Sequence, residues 1–189
     1  MPPATGSAIR SRCGRCACST GEEAYSIAIS LAETFGTLTP AVSILASDVD
    51  TQVLHKAEEG VYPMERVERL GQSRVKRFSC AGLGPSLAWH EVRPELRNLV
   101  SFRRLNLLDP VWPARGPFDA IFCRNVMIYF DKATQAAMLQ RFAPLLRPDG
   151  LAVRRPLREP VPRVRYIPAA RQTVYEVSGA HSRAAGARR

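Results

Sequence analysis

A mostly parallel, doubly wound α/β sheet is the fold class that these 189 residues predict. Short apolar runs that suit buried strands alternate with stretches of helical period, which is the pattern of βα units. Three of the strands also end in polar residues: Asp48, Asn106 and the pair Arg124-Asn125. Ligands of open α/β sheets bind at such carboxyl ends.

The elements follow in order. Residues 1–18 have no period and no apolar run. Thr20-Gly21-Glu22-Glu23 opens a helix on which Tyr25, Ala28, Ile29, Leu31, Ala32 and Phe35 recur at helical spacing, with Gly36 as its stop. Val42–Ala46 is an apolar strand running into Ser47-Asp48-Val49-Asp50, and Asp50 caps a short helix that stops at Gly60. Residues 61–79 are charged and helical in pieces, broken at Tyr62-Pro63. Gly82, Gly84 and Pro85 mark a loop. Residues 87–107 read as short strands, with Val100, Phe102, Leu105 and Leu107 as the apolar members of the last. After the turn-rich Pro110–Pro117 connection comes a buried strand carrying Phe118, Ile121 and Phe122. Asp131 then caps a helix that buries Ala133, Ala137, Met138, Phe142 and Leu145. Pro148-Asp149-Gly150 is a turn before a strand at Leu151-Ala152-Val153. Gln172–Val177 is expected to form a terminal strand, and residues 179–189 a disordered basic tail.

The formal charge of +10 is confined to the ends. Residues 19–150 carry fifteen basic and fifteen acidic side chains, whereas residues 151–189 hold nine arginines against Glu159 and Glu176. No interleaved aromatic platform accompanies them beyond Tyr166 and Tyr175, so no specific nucleic-acid binding is expected. No apolar run is long enough to span a bilayer, so no membrane insertion and a cytoplasmic location are expected. The five cysteines are odd in number, and Cys13, Cys16 and Cys18 have no second paired knuckle, so neither a disulfide framework nor a metal site is expected.

The turn Ser19-Thr20-Gly21 opens a helix N-terminus, and an acid, Asp48, ends the next strand. That order suits a nucleoside, whose ribose hydroxyls a carboxylate accepts. Neither phosphate-binding glycine signature is present, and Glu22 and Glu23 would repel a pyrophosphate. A nucleoside bearing a sulfonium and no phosphate, S-adenosylmethionine, fits better than NAD or ATP.

Five segments then resemble one family. They are Cys18–Ile29, Ile44–Thr51, Val92–Leu96, Phe102–Asp109 and Gly116–Asp131, the last containing Cys123-Arg-Asn-Val-Met-Ile-Tyr-Phe130. They resemble the CheR-type chemotaxis methyltransferases, which methylate glutamates of receptor proteins. The resemblance implies a Rossmann-like class I S-adenosylmethionine-dependent methyltransferase sheet with a small antiparallel insertion at about residues 80–105, the whole catalytic domain spanning residues 18–178. It also implies a monomer acting on the cytoplasmic domains of methyl-accepting chemoreceptors. Carried over residue by residue, Glu23, Asp48, Asn106, Leu107, Arg124, Asn125 and Val126 would contact the cofactor, and Arg124 and Tyr129 would serve catalysis. Four plainer readings stand beside these roles: Asp50 as a helix cap and not a ligand, Glu22 as a first-turn helix charge, Tyr129 as a core residue and Cys123 as a buried strand residue.

The ends depart from the family. No counterpart is present of its helical N-terminal domain or of the Asn-x-Thr-x-x-x-Arg-like segment that follows it. Residues 1–17 are atypical: Arg10–Cys16 stands where an apolar first strand belongs, and by its composition is expected to supply no buried strand. Residues 154–165 replace a Gly-His-Ser-Glu segment. A shifted reading frame or a truncation would give such ends, and the alternative function is then an inactive fragment retaining at most receptor docking.

Overall fold

The computed structural model describes residues 11–81, 89–123, 126–153, 169–171 and 174–176. In chain order its elements are β1 (Ser11–Cys16), α1 (Glu22–Phe35), β2 (Val42–Asp48), α2 (Thr51–Glu59), β3 (Val61–Pro63) and α3 (Met64–Val67). There follow α4 (Gln72–Phe78), β4 (Ser79–Ala81), β5 (Trp89–Val92), α5 (Pro94–Arg97) and β6 (Val100–Arg104). The last are β7 (Phe118–Phe122), α6 (Lys132–Phe142), β8 (Leu146–Val153), β9 (Ala169–Arg171) and β10 (Val174–Glu176). The chain divides into two units, one built on residues 18–104 and the other on residues 12–17 and 105–189. The expectations for residues 1–10, 154–165 and 179–189 lie outside the described residues. No helix among the described residues is long and apolar enough to cross a membrane.

In the first unit β2 and β6 pair in parallel, from Ile44 opposite Val100 to Asp48 opposite Arg104. Val42, Ile44 and Ala46 alternate inward, and α1 buries Ala24, Tyr25, Ala28, Ile29 and Ala32. That stripe follows the 3.6-residue period, except that Phe35 lies 55 % exposed rather than inside. Gly36 adopts φ 68° and its N–H closes on the carbonyls of Ala32 and Glu33. The Asp50 carboxylate accepts from Gln52 N at 2.7 Å, so it caps α2 as expected.

The small antiparallel sheet runs β3–β5–β4, with Tyr62 opposite His90 and Cys80 opposite Glu91. It therefore begins upstream of the expected 80–105 boundary. Tyr62-Pro63, expected as a break, is an edge strand, where proline's missing N–H is tolerated. Conversely β6 pairs with β2 and is no part of the insertion.

In the second unit β1, β7 and β8 are parallel, and β10 pairs antiparallel with both β8 and β9. The expectation that Arg10–Cys16 supplies no strand is overturned. Cys13, Gly14 and Arg15 lie opposite Ala120, Ile121 and Phe122, and Cys13, Cys16 and Arg15 are buried. Free cysteine behaves as a small apolar residue. The Arg15 guanidinium reaches the Cys16 carbonyl and, at 3.5 Å, the Phe122 carbonyl, so its polar head stays on backbone oxygens. At the start of the strand, Arg12 N donates to Asp119 Oδ2 at 2.6 Å and its guanidinium lies 5.0 Å from the Phe118 ring centre.

The inward face of α6 also differs from expectation. Gln135, Met138, Leu139 and Phe142 are buried, whereas Ala133 and Ala137 are exposed. The Asp131 carboxylate accepts from Thr134 N at 2.7 Å, which fixes the first turn and with it this face. β8 starts at Leu146, and Arg147–Gly150 form a bulge within it: Phe118 faces Leu146 but Ala120 faces Leu151.

Candidate functional site

In the first unit the carboxyl end of β2 and the start of α1 meet at Asp48. Cys18 N donates to Ser47 O at 2.9 Å, and Ser19 N to Asp48 Oδ2 at 2.8 Å. Asp50 N donates to Asp48 Oδ1 at 3.2 Å. The chain between is a tight turn in which Ser19 takes φ 51° and Gly21 φ 90°, closed by Gly21 N on Cys18 O. A left-handed serine is strained, and such residues gather at ligand sites. Gly21 is required twice over, by its φ and because a Cβ there would stand 2.8 Å from Ala57 Cβ.

A carboxylate has about four acceptor positions, and backbone N–H groups occupy one on each oxygen of Asp48. Those remaining suit the two hydroxyls of a ribose. Glu22 accepts from Thr20 Oγ1 at 2.6 Å and pairs with Arg66; Glu23 follows it in the same first turn of α1. The turn thus offers backbone and carboxylates, and the Arg66 guanidinium beside it is paired with Glu22, so its donor set fits a phosphate-free nucleoside.

In the second unit Asn106 forms an Asx turn: its Oδ1 accepts from Leu108 N at 3.0 Å and its Nδ2 donates to Asp109 Oδ1 at 3.1 Å. Leu107 is buried, and its carbonyl accepts from Trp112 Nε1 and from Arg141, each at 3.2 Å. Arg141 also donates to the carbonyls of Asp109 and Pro110 and stacks 3.8 Å from the Trp112 ring centre. It holds the loop that carries Asn106 and Leu107. Val126 begins the short 3₁₀ turn Met127–Tyr129, where Tyr129 is 80 % exposed, so the core alternative for Tyr129 fails. Arg124 and Asn125 lie outside the described residues.

Two side chains that serve these segments escaped the sequence reading. Gln135 is buried and its Nε2 donates to the carbonyls of Met127 and Phe130, both at 2.9 Å, which fixes the turn bearing Tyr129. Arg141 is the other. Only its basic character in the last turn of α6 marked it, and that is common at helix ends.

The family described as "CheR methyltransferase, SAM binding domain" matches residues 7–153. The chain belongs to this family. The matched range takes in β1, upstream of the segments that carry the resemblance. Chemotaxis protein methyltransferase 2 of Pseudomonas aeruginosa is 56 % identical over 135 residues, covering 71 % of this chain and 48 % of that protein. The chemotaxis protein methyltransferase of Escherichia coli is 53 % identical over 135 residues, 71 % of this chain and 47 % of its own. The chain spans about half the length of the curated relatives it matches. S-adenosylmethionine is the ligand of this family's domain, and the phosphate-free turn with its ribose-ready Asp48 suits it.

Proposed function

We propose that this chain is the cofactor-binding and catalytic part of a protein-glutamate O-methyltransferase that acts in the cytoplasm, as a monomer, on the cytoplasmic domains of chemoreceptors. The observation that carries the reading is Asp48 at the end of β2, tied through Ser19 N to the strained turn before α1. In it Asp48 accepts the ribose hydroxyls, Glu23 lies beside the turn, and Asn106 and Leu107 flank the adenine. Arg124, Asn125 and Val126 line the cofactor near the transferred methyl, and Tyr129 stands at the substrate's entry.

Bound S-adenosylmethionine supplies an activated methyl group. A glutamate has a reference pKa of about 4.3, so the substrate is already ionised at neutral pH and needs no general base. One carboxylate oxygen takes the methyl, the methyl–sulfur electron pair stays on sulfur, and the product is a methyl ester. The protein's part is alignment of the attacking oxygen. Arg124 is proposed to hold the substrate carboxylate.

Two measurements on the purified chain test this. Calorimetric titration with S-adenosylhomocysteine should give one site, weakened by about 10-fold or more in Asp48→Ala, since hydrogen bonds to a charged group contribute about 1.5–3 kcal/mol. Receptor-containing membranes incubated with methyl-labelled cofactor should acquire base-labile label. Binding without label would limit the chain to a cofactor-binding domain. Absence of binding would remove the assignment of Asp48.

A further inference from the structure

Tyr62 belongs to β3 of the antiparallel sheet, yet its hydroxyl donates to the Thr20 carbonyl in the turn before α1, at 2.6 Å. Its ring is buried and meets Tyr25 edge-on at 6.1 Å, and Tyr25 OH donates to Ala57 O at 2.8 Å. A second tie runs beside it. Arg66, in α3 just after β3, pairs with Glu22, and Glu22 accepts from the Thr20 hydroxyl. Thr20 is therefore held at its carbonyl by a side chain of β3 and at its hydroxyl, through Glu22, by one of α3. Gly21, the next residue, leaves no slack on that side, since a Cβ there would come within 3.0 Å of the Tyr62 oxygen.

A pocket of about 90 Å³, open to solvent, lies beside this attachment and is lined by Glu22, Tyr25, Tyr62, Arg66, Val75 and Phe78 among others. Directed bonds and the close approach of Gly21 together hold the turn. Burial pushes the Tyr62 phenol well above the ordinary tyrosine range, so it remains a protonated donor at any working pH.

We propose that Tyr62 and Arg66 are positioning residues that fix the cofactor turn from β3 of the antiparallel sheet and from the helix α3 that follows it, so that affinity for the cofactor depends on how that sheet and helix are held. The proposal rests on the reading of Ser19–Gly21 and Asp48 as the cofactor site. It gives the small sheet a role in cofactor binding, separate from any docking to a protein partner. A disturbance at β3 reaches Thr20 in one hydrogen bond.

The test titrates S-adenosylhomocysteine into the 189-residue chain and its Tyr62→Phe, Arg66→Ala, Arg66→Lys and Asp48→Ala variants, with thermal melting of each. Tyr62→Phe keeps the ring and removes only the hydroxyl. It should raise Kd by about 3- to 10-fold, the worth of one neutral hydrogen bond, while the melting midpoint moves by no more than about 3 °C. Arg66→Ala should also weaken binding, and Arg66→Lys should recover most of the loss. Wild-type Kd in Tyr62→Phe and Arg66→Ala, beside a weakened Asp48→Ala, overturns the positioning role and leaves the site reading intact. Full affinity in Asp48→Ala, or no binding by the parent chain, removes the site reading and the proposal with it. If Tyr62→Phe melts early, amide exchange well below its midpoint decides. Faster exchange confined to residues 20–23 supports the proposal, and uniformly faster exchange overturns it.

Discussion

In β2 the inward positions are Val42, Ile44 and Ala46, branched or small hydrocarbons whose buried surface stabilises the strand directly. In β1 they are two thiols and an arginine, with a glycine between. Both strands are parallel and both are buried. A buried isoleucine contributes about 1.5–3 kcal/mol by leaving water, and β1 has no such residue. Its partner supplies the missing volume: Ile121 Cγ1 stands 3.4 Å from where a Cβ on Gly14 would lie, and Phe118 also closes on that position. A strand in a parallel sheet can therefore be held by its ladder and by its neighbour's side chains. In β1 it is Gly14 that is small enough to admit them.

The largest expected effect tests the side of the comparison where hydrocarbon matters. Ile44, 1 % exposed, changed to alanine should cost about 3 kcal/mol of stability, read from denaturant unfolding. A loss below about 1 kcal/mol would mean that β2, like β1, is supported by its surroundings.

Next comes the thiol chemistry of β1. Burial, with Asp119 nearby, pushes the Cys13 thiol up from 9.0 to about 11. At pH 8 its thiolate fraction is then about 100-fold below that of an ordinary thiol, and the thiolate is the reactive form. Alkylation followed by mass spectrometry should modify the exposed Cys80 and spare Cys13. The same shift makes stability pH-dependent. The folded pKa lies above the unfolded one, so this contribution is whole below about pH 9 and is lost as pH rises through about 11. Rapid labelling of Cys13 in the folded chain would show that β1 opens.

The smallest effect is the sharpest test of borrowed volume. Gly14 has ordinary backbone dihedrals, and an added methyl would make only van der Waals contact with Ile121 and Phe118. Gly14→Ala should shift stability by no more than about 1 kcal/mol, within the scatter of surface substitutions and small strand effects. Gly14→Leu should cost several times more, because the site is already filled from β7.

Much of the first unit was legible because its chemistry is local. The period of α1, the Asp50 cap and the stops at Gly36 and Gly60 each depend on a few adjacent residues. Asp48 was legible as an acid ending an apolar strand. β1 was not, because what makes it a strand sits in Ile121 and Phe122, over a hundred residues away. The sheet strand β3 is three residues long and gains its identity from pairing with β5. On α6 the alanines were misleading, since alanine sits comfortably in or out. Gln135 gives no signal in the sequence because a glutamine is usually exposed, and only the two carbonyls it bonds explain its burial. Tyr62-Pro63 reads as a break between helical pieces, and only the Tyr62 hydroxyl on the Thr20 carbonyl gives the tyrosine its other role.

The two tryptophans of the chain are Trp89 and Trp112. Trp89 lies on β5, 47 % exposed, whereas Trp112 is clamped beneath the Arg141 guanidinium with its indole N–H on the Leu107 carbonyl. Their emission should therefore differ in colour and in access to a soluble quencher. Each unit carries one of them, so the chain holds an intrinsic fluorophore in each half, and the one at Leu107 is wired to the segment proposed to hold the adenine.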